Sequence, residues 1–251
     1  MPDHFVIIGA QRCGTTYLTR LLDEHPEIEM AKPLRPEPRF FLDYEQFARG
    51  AEHYEASYFS DPDARVRGEK STSYIEHDVA VRRIAALFPE ATIIAVVRDP
   101  VARAVSNHAF STAEGVETLP LSDAIRNDGA RDRPWDPARF SVSPFAYLDR
   151  GRYADALAGV VQHVSRDRLH VLVFEELVVD DSVLAGLYER LGVDPTFRPS
   201  AVGAPVNVSP ATGELDAATE AWLRSYYAEP NRRLEEFLGR PLPWPQAAGV
   251  R

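Results

Sequence analysis

The sequence contains a single cysteine, Cys13, among 251 residues. One thiol excludes an intramolecular disulfide and a metal site built on several thiolates. Hydrophobic runs are also short, and none approaches the roughly 20 residues that a membrane-spanning helix needs. Only a brief apolar run follows Asp3 and His4, which is unlike a signal peptide. The sequence therefore predicts a cytoplasmic protein with no membrane insertion and no metal.

Lysine is almost as scarce as cysteine. Lys32 and Lys70 are the only two, and the other 26 basic residues are arginine, a bias that suggests a GC-rich bacterial genome. The formal net charge is −10 and the isoelectric point is about 5.2. Nucleic-acid binding requires a basic face, so this balance argues against a nucleic-acid partner. A local basic pocket for an anion stays compatible with it, and both lysines become candidates for such a pocket.

Strand-like and helix-like segments alternate along the chain, which is long enough to form one domain over residues 1–251. Apolar runs predict strands at Phe5–Gly9, Ala91–Val97 and Leu169–Phe174, and Val66–Lys70 is a further candidate short strand. Amphipathic segments predict helices at 15–25, 47–59, 79–88, 101–110, 153–164, 182–191 and 215–238, the last with a break at Pro230. Residues 28–45 read as an extended connection. This alternation predicts an α/β fold with an open, mostly parallel sheet that carries helices on both faces.

A glycine-bracketed turn, Gly9-Ala-Gln-Arg-Cys-Gly-Thr-Thr16, follows the first predicted strand and precedes the first predicted helix. Backbone N–H groups in such a P-loop-like turn can hold phosphate oxygens. Kinase and GTPase P-loops end in Gly-Lys-Ser/Thr, but here Thr15 follows the glycine and the positive charge lies at Arg12. An ordinary tight turn is the alternative reading. The candidate anion-binding residues are Gln11, Arg12, Cys13, Gly14, Thr15 and Thr16.

Arg98 follows another apolar strand, and ligands of open α/β sheets bind at the carboxyl ends of strands. A guanidinium there can pair with a phosphate in bidentate fashion, and Ser106 lies two helical turns further on. The alternative is a helix capped by Asp99 and a solvated arginine. His108 is a candidate for acid–base chemistry or phosphate contact, although a lone histidine on a helix is more often structural.

Two further charged residues could carry chemistry. Glu37 lies between two prolines and precedes two phenylalanines, so its carboxylate is presented on a stiff segment and could act as a general base. Lys70 at a strand end could neutralise charge on a departing phosphate. The alternatives are a surface glutamate and a solvated lysine.

Taken together, these motifs resemble the sulfotransferases that use 3′-phosphoadenosine 5′-phosphosulfate (PAPS). The branch they resemble contains the heparan sulfate N- and 3-O-sulfotransferases and their bacterial relatives. GAQRCGTT is similar to the family's 5′-phosphosulfate loop. VVRDPVARAVS is similar to its 3′-phosphate motif, which implies that Arg98 and Ser106 bind that phosphate. PEPRFF and EKSTSY imply that Glu37 is the catalytic base and that Lys70 lies near the sulfuryl group.

This resemblance implies sulfuryl transfer from PAPS to a hydroxyl or amine of a small-molecule or glycan acceptor, with release of adenosine 3′,5′-bisphosphate. The implied catalytic residues are Glu37, Lys70 and Arg12, with His108 as a further candidate. The family's eukaryotic members carry a basic loop and a disulfide before the last helix, which this chain lacks. Backbone amides, Asn207 or Ser209 are candidates to complete the 3′-phosphate site.

The acceptor is less well defined by the sequence. Residues 113–145 and 195–213 are candidates to shape its pocket, with aromatic lining from Trp135, Phe140, Phe145 and Tyr147, unless these side chains are core. A bacterial enzyme of secondary metabolism or glycan modification is one expectation. A P-loop kinase of small metabolites is an alternative function, and a non-catalytic nucleotide-binding module is another. Dependence on Mg²⁺ and ATP would mark the kinase.

Overall fold

The computed structural model describes residues 3–130, 134–136, 139–140, 142–203, 213 and 215–245. The chain divides into two compact units. Unit 1 comprises Met1–Val97 and Ala156–Val206, and unit 2 comprises Arg98–Asp155 and Asn207–Arg251. Among the described residues, no helix combines the length and apolarity needed to cross a bilayer.

Unit 1 is built on a five-stranded sheet with the order β2-β3-β1-β4-β5. Every neighbouring pair is parallel, which confirms the predicted α/β fold. The strands are β1 (Asp3–Gly9), β2 (Ile28–Met30), β3 (Val66–Lys70), β4 (Thr92–Val97) and β5 (Leu169–Val173). Four of them match predicted strands. The three-residue β2 lies in the predicted extended connection and is too short to show a periodicity of its own.

Ten α-helices are assigned in the described part of the chain. In chain order they are α1 (Thr15–Asp23), α2 (Tyr44–Ala48), α3 (Gly50–Tyr58), α4 (Asp78–Leu87), α5 (Pro100–Ala113), α6 (Leu121–Arg126), α7 (Tyr153–Val160), α8 (Phe174–Leu177), α9 (Asp181–Leu191) and α10 (Ala217–Leu238). The predicted break at Pro230 is wrong, because α10 runs through this buried proline without ending. Burial of its apolar face outweighs the one N–H that proline removes.

Helices cover both faces of the sheet in unit 1. The connections from β1 to β2 and from β3 to β4 run in opposite directions along the sheet, and right-handed crossovers then place α1 and α4 on opposite faces. On one face, the Tyr188 hydroxyl of α9 donates to the Leu21 carbonyl of α1 at 3.3 Å. On the other, the His4 ring of β1 stacks on Phe88, just after α4, with ring centroids 4.2 Å apart.

Unit 2 has its own core, formed by residues of α5, α6 and α10 together with Phe145 and Tyr147. A wholly buried arginine, Arg103, lies beside this core. Its guanidinium donates to Asn107 Oδ1 at 3.2 Å and to the Tyr147 carbonyl. A buried guanidinium must find acceptors. The first bond lies within α5, and the second ties α5 to the segment that follows α6.

Gly68 is required by the packing of β3 against β1, where it is paired with Phe5. A Cβ at Gly68 would lie 2.0 Å from Phe5 Cζ, and that ring is buried. We expect Gly68→Ala to lower the free energy of unfolding by about 1–3 kcal/mol through overpacking, measured by urea denaturation. Adding Phe5→Leu should make the loss smaller than the sum of the two single changes.

Gly186→Ala is the matched control for this substitution. Gly186 lies inside α9 of the same unit, and nothing lies within 4 Å of the added Cβ. Alanine there should stabilise the protein by up to about 1 kcal/mol through helix propensity. Equal stability of Gly68→Ala and the wild type would contradict the packing described for β3.

Candidate active site

The two glycines of the first turn are fixed by close contacts. A Cβ at Gly9 would lie 2.6 Å from Ile75 Cγ2, and one at Gly14 would lie 2.1 Å from Phe174 Cδ2. Gly14 also has a φ of 85°, in the left-handed region. The turn after β1 is therefore pressed against the turn after β3 and the start of α8. Packing alone accounts for these two glycines, so the case for anion binding depends on the rest of the turn.

The remainder of the turn presents donors and a cation. Gly14 is the N-cap of α1, which has no acidic residue in its first turn. The N–H groups that open a helix lack partners within it, and the helix dipole favours an anion there. Arg12 has a φ of 67° and is half-buried, as are Gln11 and Thr16. The predicted residues are thus brought together at one helix start.

Two members of the turn are buried. Cys13 is 0% exposed, and its amide donates to the Ala10 carbonyl at 3.3 Å. Thr15 is also buried, and its carbonyl accepts from the Thr19 hydroxyl at 2.8 Å. Cys13 thus has a packing role in the turn, and its predicted part in cofactor binding stays a prediction.

Glu37 and Lys70, separated by more than thirty positions in the printed sequence, form an ion pair. Glu37 Oε1 lies 2.8 Å from Lys70 Nζ, and their side chains are 19% and 6% exposed. Thr72 holds the same carboxylate, with its amide donating to Oε2 at 2.9 Å and its hydroxyl donating at 3.0 Å. Lys70 is buried and Glu37 is half-buried. Neither is the fully exposed side chain that the alternative interpretation required. The structure therefore joins the predicted base and the predicted cation at one point.

This pair lies at a switch point of the sheet. Lys70 ends β3 and is paired in register with Ile7 of the adjacent β1. The connections that leave β1 and β3 diverge to opposite faces, and ligands of open α/β sheets bind where neighbouring connections diverge. The end of β3 and the candidate anion-binding turn after β1 are thereby placed side by side within unit 1.

A second carboxylate, Glu69, lies behind the pair and was not singled out from the sequence. It is 0% exposed and accepts hydrogen bonds from the hydroxyls of Tyr54 at 2.9 Å, Ser71 at 2.7 Å and Tyr74 at 2.6 Å. Burial raises the pKa of Glu69 to about 7, against the lowering effect of these three donors. A charged residue inside an otherwise buried strand was the available sequence signal.

Arg98 and Ser106 belong to unit 2. Arg98 follows β4 along the chain, and its carbonyl accepts from the Tyr153 hydroxyl at 2.9 Å, while Ser106 lies on α5. Asp99 caps α5 as the sequence indicated, accepting from the Val101 amide at 3.2 Å. It also pairs with Arg224 Nη1 of α10 at 2.7 Å. Arg224 anchors the residue next to Arg98 and was missed from the sequence, since 125 positions separate it from Asp99.

His108 is 2% exposed. Its Nε2 lies 2.9 Å from the Leu119 carbonyl, so the ring donates to the backbone of the segment after α5. This contact favours the structural reading of His108 that the sequence had left open. Its proposed acid–base role stays a prediction.

The predicted acceptor-lining aromatics divide into two groups. Trp135, Phe140 and Phe145 line a cleft of about 370 Å³ in unit 2, and Phe145 also belongs to the core of that unit. Tyr147 is core, because it is 0% exposed and its hydroxyl donates to Glu117 Oε2 at 2.8 Å. Asn207 and Ser209 lie outside the described residues. Among the residues that the structure does describe, no group of three or more His, Cys, Asp or Glu is arranged to hold a metal ion.

Relatives in sequence point to one family. Human heparan sulfate glucosamine 3-O-sulfotransferase 6 is 32% identical over 175 residues, covering 63% of this chain and 50% of that protein. The mouse bifunctional heparan sulfate N-deacetylase/N-sulfotransferase 3 is 26% identical over 278 residues, covering 95% of this chain and 30% of that protein. The chain thus spans about half or less of the length of these curated relatives.

Solved structures agree. A sulfotransferase from Alicyclobacillus acidocaldarius is 25% identical with a TM-score of 0.78, and the alignment covers 96% of this chain and 97% of that one. Mouse sulfotransferase SULT7A1 complexed with PAP shares the fold at 14% identity, with a TM-score of 0.60 and coverage of 94% and 87%. The family described as the sulfotransferase domain matches residues 2–194. This match confirms the resemblance drawn from the motifs, and the chain belongs to the sulfotransferase family.

Proposed function

We propose that this chain is a single sulfotransferase domain that moves a sulfuryl group from PAPS to a hydroxyl or amine of its acceptor. The observation that carries the proposal is the Glu37–Lys70 pair, 2.8 Å between Oε1 and Nζ, at the strand end beside the anion-binding turn. The family assignment supports it. A structural neighbour is complexed with PAP, the product that PAPS leaves behind.

The donor set of the turn fits the sulfated phosphate end of PAPS. It combines Arg12, the Lys70 ammonium and the opening N–H groups of α1, whose first turn carries no acidic residue. Cationic and N–H donors of this kind suit a phosphate. The site residues proposed for this end are Gln11, Arg12, Cys13, Gly14, Thr15 and Thr16.

PAPS supplies the sulfuryl group and leaves as adenosine 3′,5′-bisphosphate. In the proposed reaction Glu37 takes the proton of the acceptor as the acceptor oxygen or nitrogen bonds to sulfur. The bond from sulfur to the phosphate oxygen breaks, and Lys70, Arg12 and the N–H groups of the turn stabilise the charge left on that oxygen. Thr72 orients the Glu37 carboxylate through its amide and its hydroxyl, so the base is fixed before the acceptor arrives.

The 3′-phosphate is assigned to Arg98 and Ser106 on their sequence motif, with backbone amides, Asn207 or Ser209 as further partners.

The proposed acceptor is a small molecule or a saccharide. The aromatic cleft of unit 2 could hold a sugar or phenol ring by stacking. A cytoplasmic bacterial enzyme of secondary metabolism is the proposed setting. The 3-O- and N-sulfotransferase relatives are heparan sulfate enzymes, which makes a glycan acceptor the first class to assay.

We expect calorimetric titration to show micromolar binding of adenosine 3′,5′-bisphosphate that does not depend on Mg²⁺. Arg12→Ala and Arg98→Ala should each weaken it roughly tenfold or more, because each removes a charge-assisted hydrogen bond to phosphate. Arg232→Ala is the control, since Arg232 is exposed on α10 and pairs with Glu236. Mg²⁺-dependent binding of ATP, with no binding of the bisphosphate, would contradict the proposal and favour a metabolite kinase.

We expect Glu37→Gln to lower sulfuryl transfer by about 10²–10⁴-fold, the usual contribution of a general base. Release of bisphosphate from PAPS is measured with a panel of phenols, amino sugars and heparan fragments. Bisphosphate affinity should stay within about twofold, since glutamine keeps the shape of the side chain. Glu45→Gln on α2 serves as the exposed control. A wild type that binds bisphosphate and transfers to none of these acceptors, nor to water, points to the non-catalytic module.

A further inference from the structure

Glu69 has no part in the reaction proposed above, yet it occupies the centre of the site's hydrogen-bond network. It is the penultimate residue of β3 and is 0% exposed. Its Oε1 accepts from Ser71 and Tyr74, and its Oε2 accepts from Tyr54. A buried carboxylate is costly unless its lone pairs are satisfied, and three hydroxyls satisfy this one.

Two of these hydroxyls also hold the segment that carries Glu37. Ser71 Oγ accepts from the Arg39 amide at 3.0 Å, and Tyr74 Oη accepts from the Phe41 amide at 3.2 Å. Arg39 and Phe41 lie two and four positions after Glu37 in the same short segment. Each hydroxyl is therefore a relay that receives a backbone N–H on one side and donates to Glu69 on the other.

The ionised state of Glu69 fixes the direction of these relays. A carboxylate only accepts hydrogen bonds, so the protons of both hydroxyls point toward it. Their lone pairs are then left facing the two backbone N–H groups. A neutral side chain at this position carries donors of its own. When such a donor faces Ser71 or Tyr74, that hydroxyl no longer donates to residue 69 and its own proton can turn toward the backbone amide, which weakens the hydrogen bond to the Glu37 segment.

We propose that Glu69 is a positioning residue, whose buried carboxylate acts through the Ser71 and Tyr74 hydroxyls to fix the Glu37 segment and so set the Glu37–Lys70 geometry. Its effect on transfer rests on the function proposed above. Its effect on the backbone does not, and can be measured without any substrate.

The pH dependence follows from the surroundings of Glu69. Burial raises its pKa to about 7, and the like charge of Glu37 acts in the same direction. The other titratable groups around it are Tyr54 and Tyr58 of α3, Tyr74 after the strand, and Lys70 beside it. Glu69 therefore ionises as pH rises through about 7, and the relays become ordered over the same range.

Ionisation of Glu69 orders the site but lowers the stability of the folded state. Because the pKa of Glu69 is raised on folding from 4.5 to about 7, the folded state binds its proton more tightly than the unfolded state does. The stability that this group contributes is complete below about pH 4.5 and is lost as pH rises through about 7. The ionised form that orders the site is thus the less stable one.

Amide hydrogen exchange tests the relays one at a time. We expect Tyr74→Phe to speed exchange at Phe41, and Ser71→Ala to speed it at Arg39, each by roughly threefold to tenfold for one lost hydrogen bond. Glu69→Gln should speed exchange at one or both of these amides. Tyr54→Phe is the matched control, because Tyr54 donates to the same carboxylate and should change neither amide. Exchange at Val96 in β4 reports any loss of global stability.

Transfer kinetics supply the second readout. We expect the wild-type rate to rise as pH passes through about 7, and Glu69→Gln to lower kcat roughly 10- to 100-fold through misplacement of the base and to abolish that rise. The KM for PAPS should stay within about twofold. Unchanged exchange at both Arg39 and Phe41 in Glu69→Gln overturns the proposal. If Glu69→Gln does not fold, the two relay variants decide between the same outcomes.

Failure of the proposed function has a different signature. A wild type that neither binds adenosine 3′,5′-bisphosphate nor turns over PAPS removes the sulfotransferase reaction whatever the exchange data show. Altered exchange with normal kcat and pH profile removes the catalytic effect of Glu69 alone.

Discussion

The ion pair between Glu37 and Lys70 is the interaction on which the rest of the site depends. Lys70 is held at the end of β3, and Glu37 comes from the segment that follows β2 along the chain. Their meeting at 2.8 Å requires that segment to fold back over the end of β3. It also places a carboxylate and an ammonium next to the turn after β1, where the opening N–H groups of α1 favour an anion.

Two features of this region lower the stability of the folded state. Ionising Glu69 inside the protein costs stability, since burial raises its pKa to about 7. Arg12 adopts a left-handed backbone conformation, with φ of 67°, that is unfavourable for a side chain with a Cβ. Costs of this kind collect where geometry matters for function. The buried strands β1 and β4 supply the stability that offsets them.

Much of this arrangement follows from the sequence alone. Four strands and the glycine turn are implied by local patterns, and the motifs single out Glu37 and Lys70, but the ion pair between them is seen only in the structure. The three-residue β2 carries no periodicity, and Pro230 indicates a break that burial overrides. Arg224 acts through Asp99, 125 positions away, so no local pattern marks it. Glu69 differs, because a charge inside an otherwise buried strand marks it, although the strand alone does not show its hydroxyl partners. His108 and Tyr147 were singled out because histidine suits acid–base chemistry and tyrosine suits stacking on a ligand. Both side chains are instead buried in unit 2.

A crystal structure with adenosine 3′,5′-bisphosphate bound would show whether the turn after β1 and Lys70 hold the 5′-phosphate beside Glu37. We expect the 5′-phosphate to lie within hydrogen-bonding distance of the N–H groups that open α1 and of Lys70 Nζ. The Glu37 carboxylate should face the position that the sulfuryl group would occupy. A bound bisphosphate whose 5′-phosphate contacts neither the turn after β1 nor Lys70 would contradict this expectation.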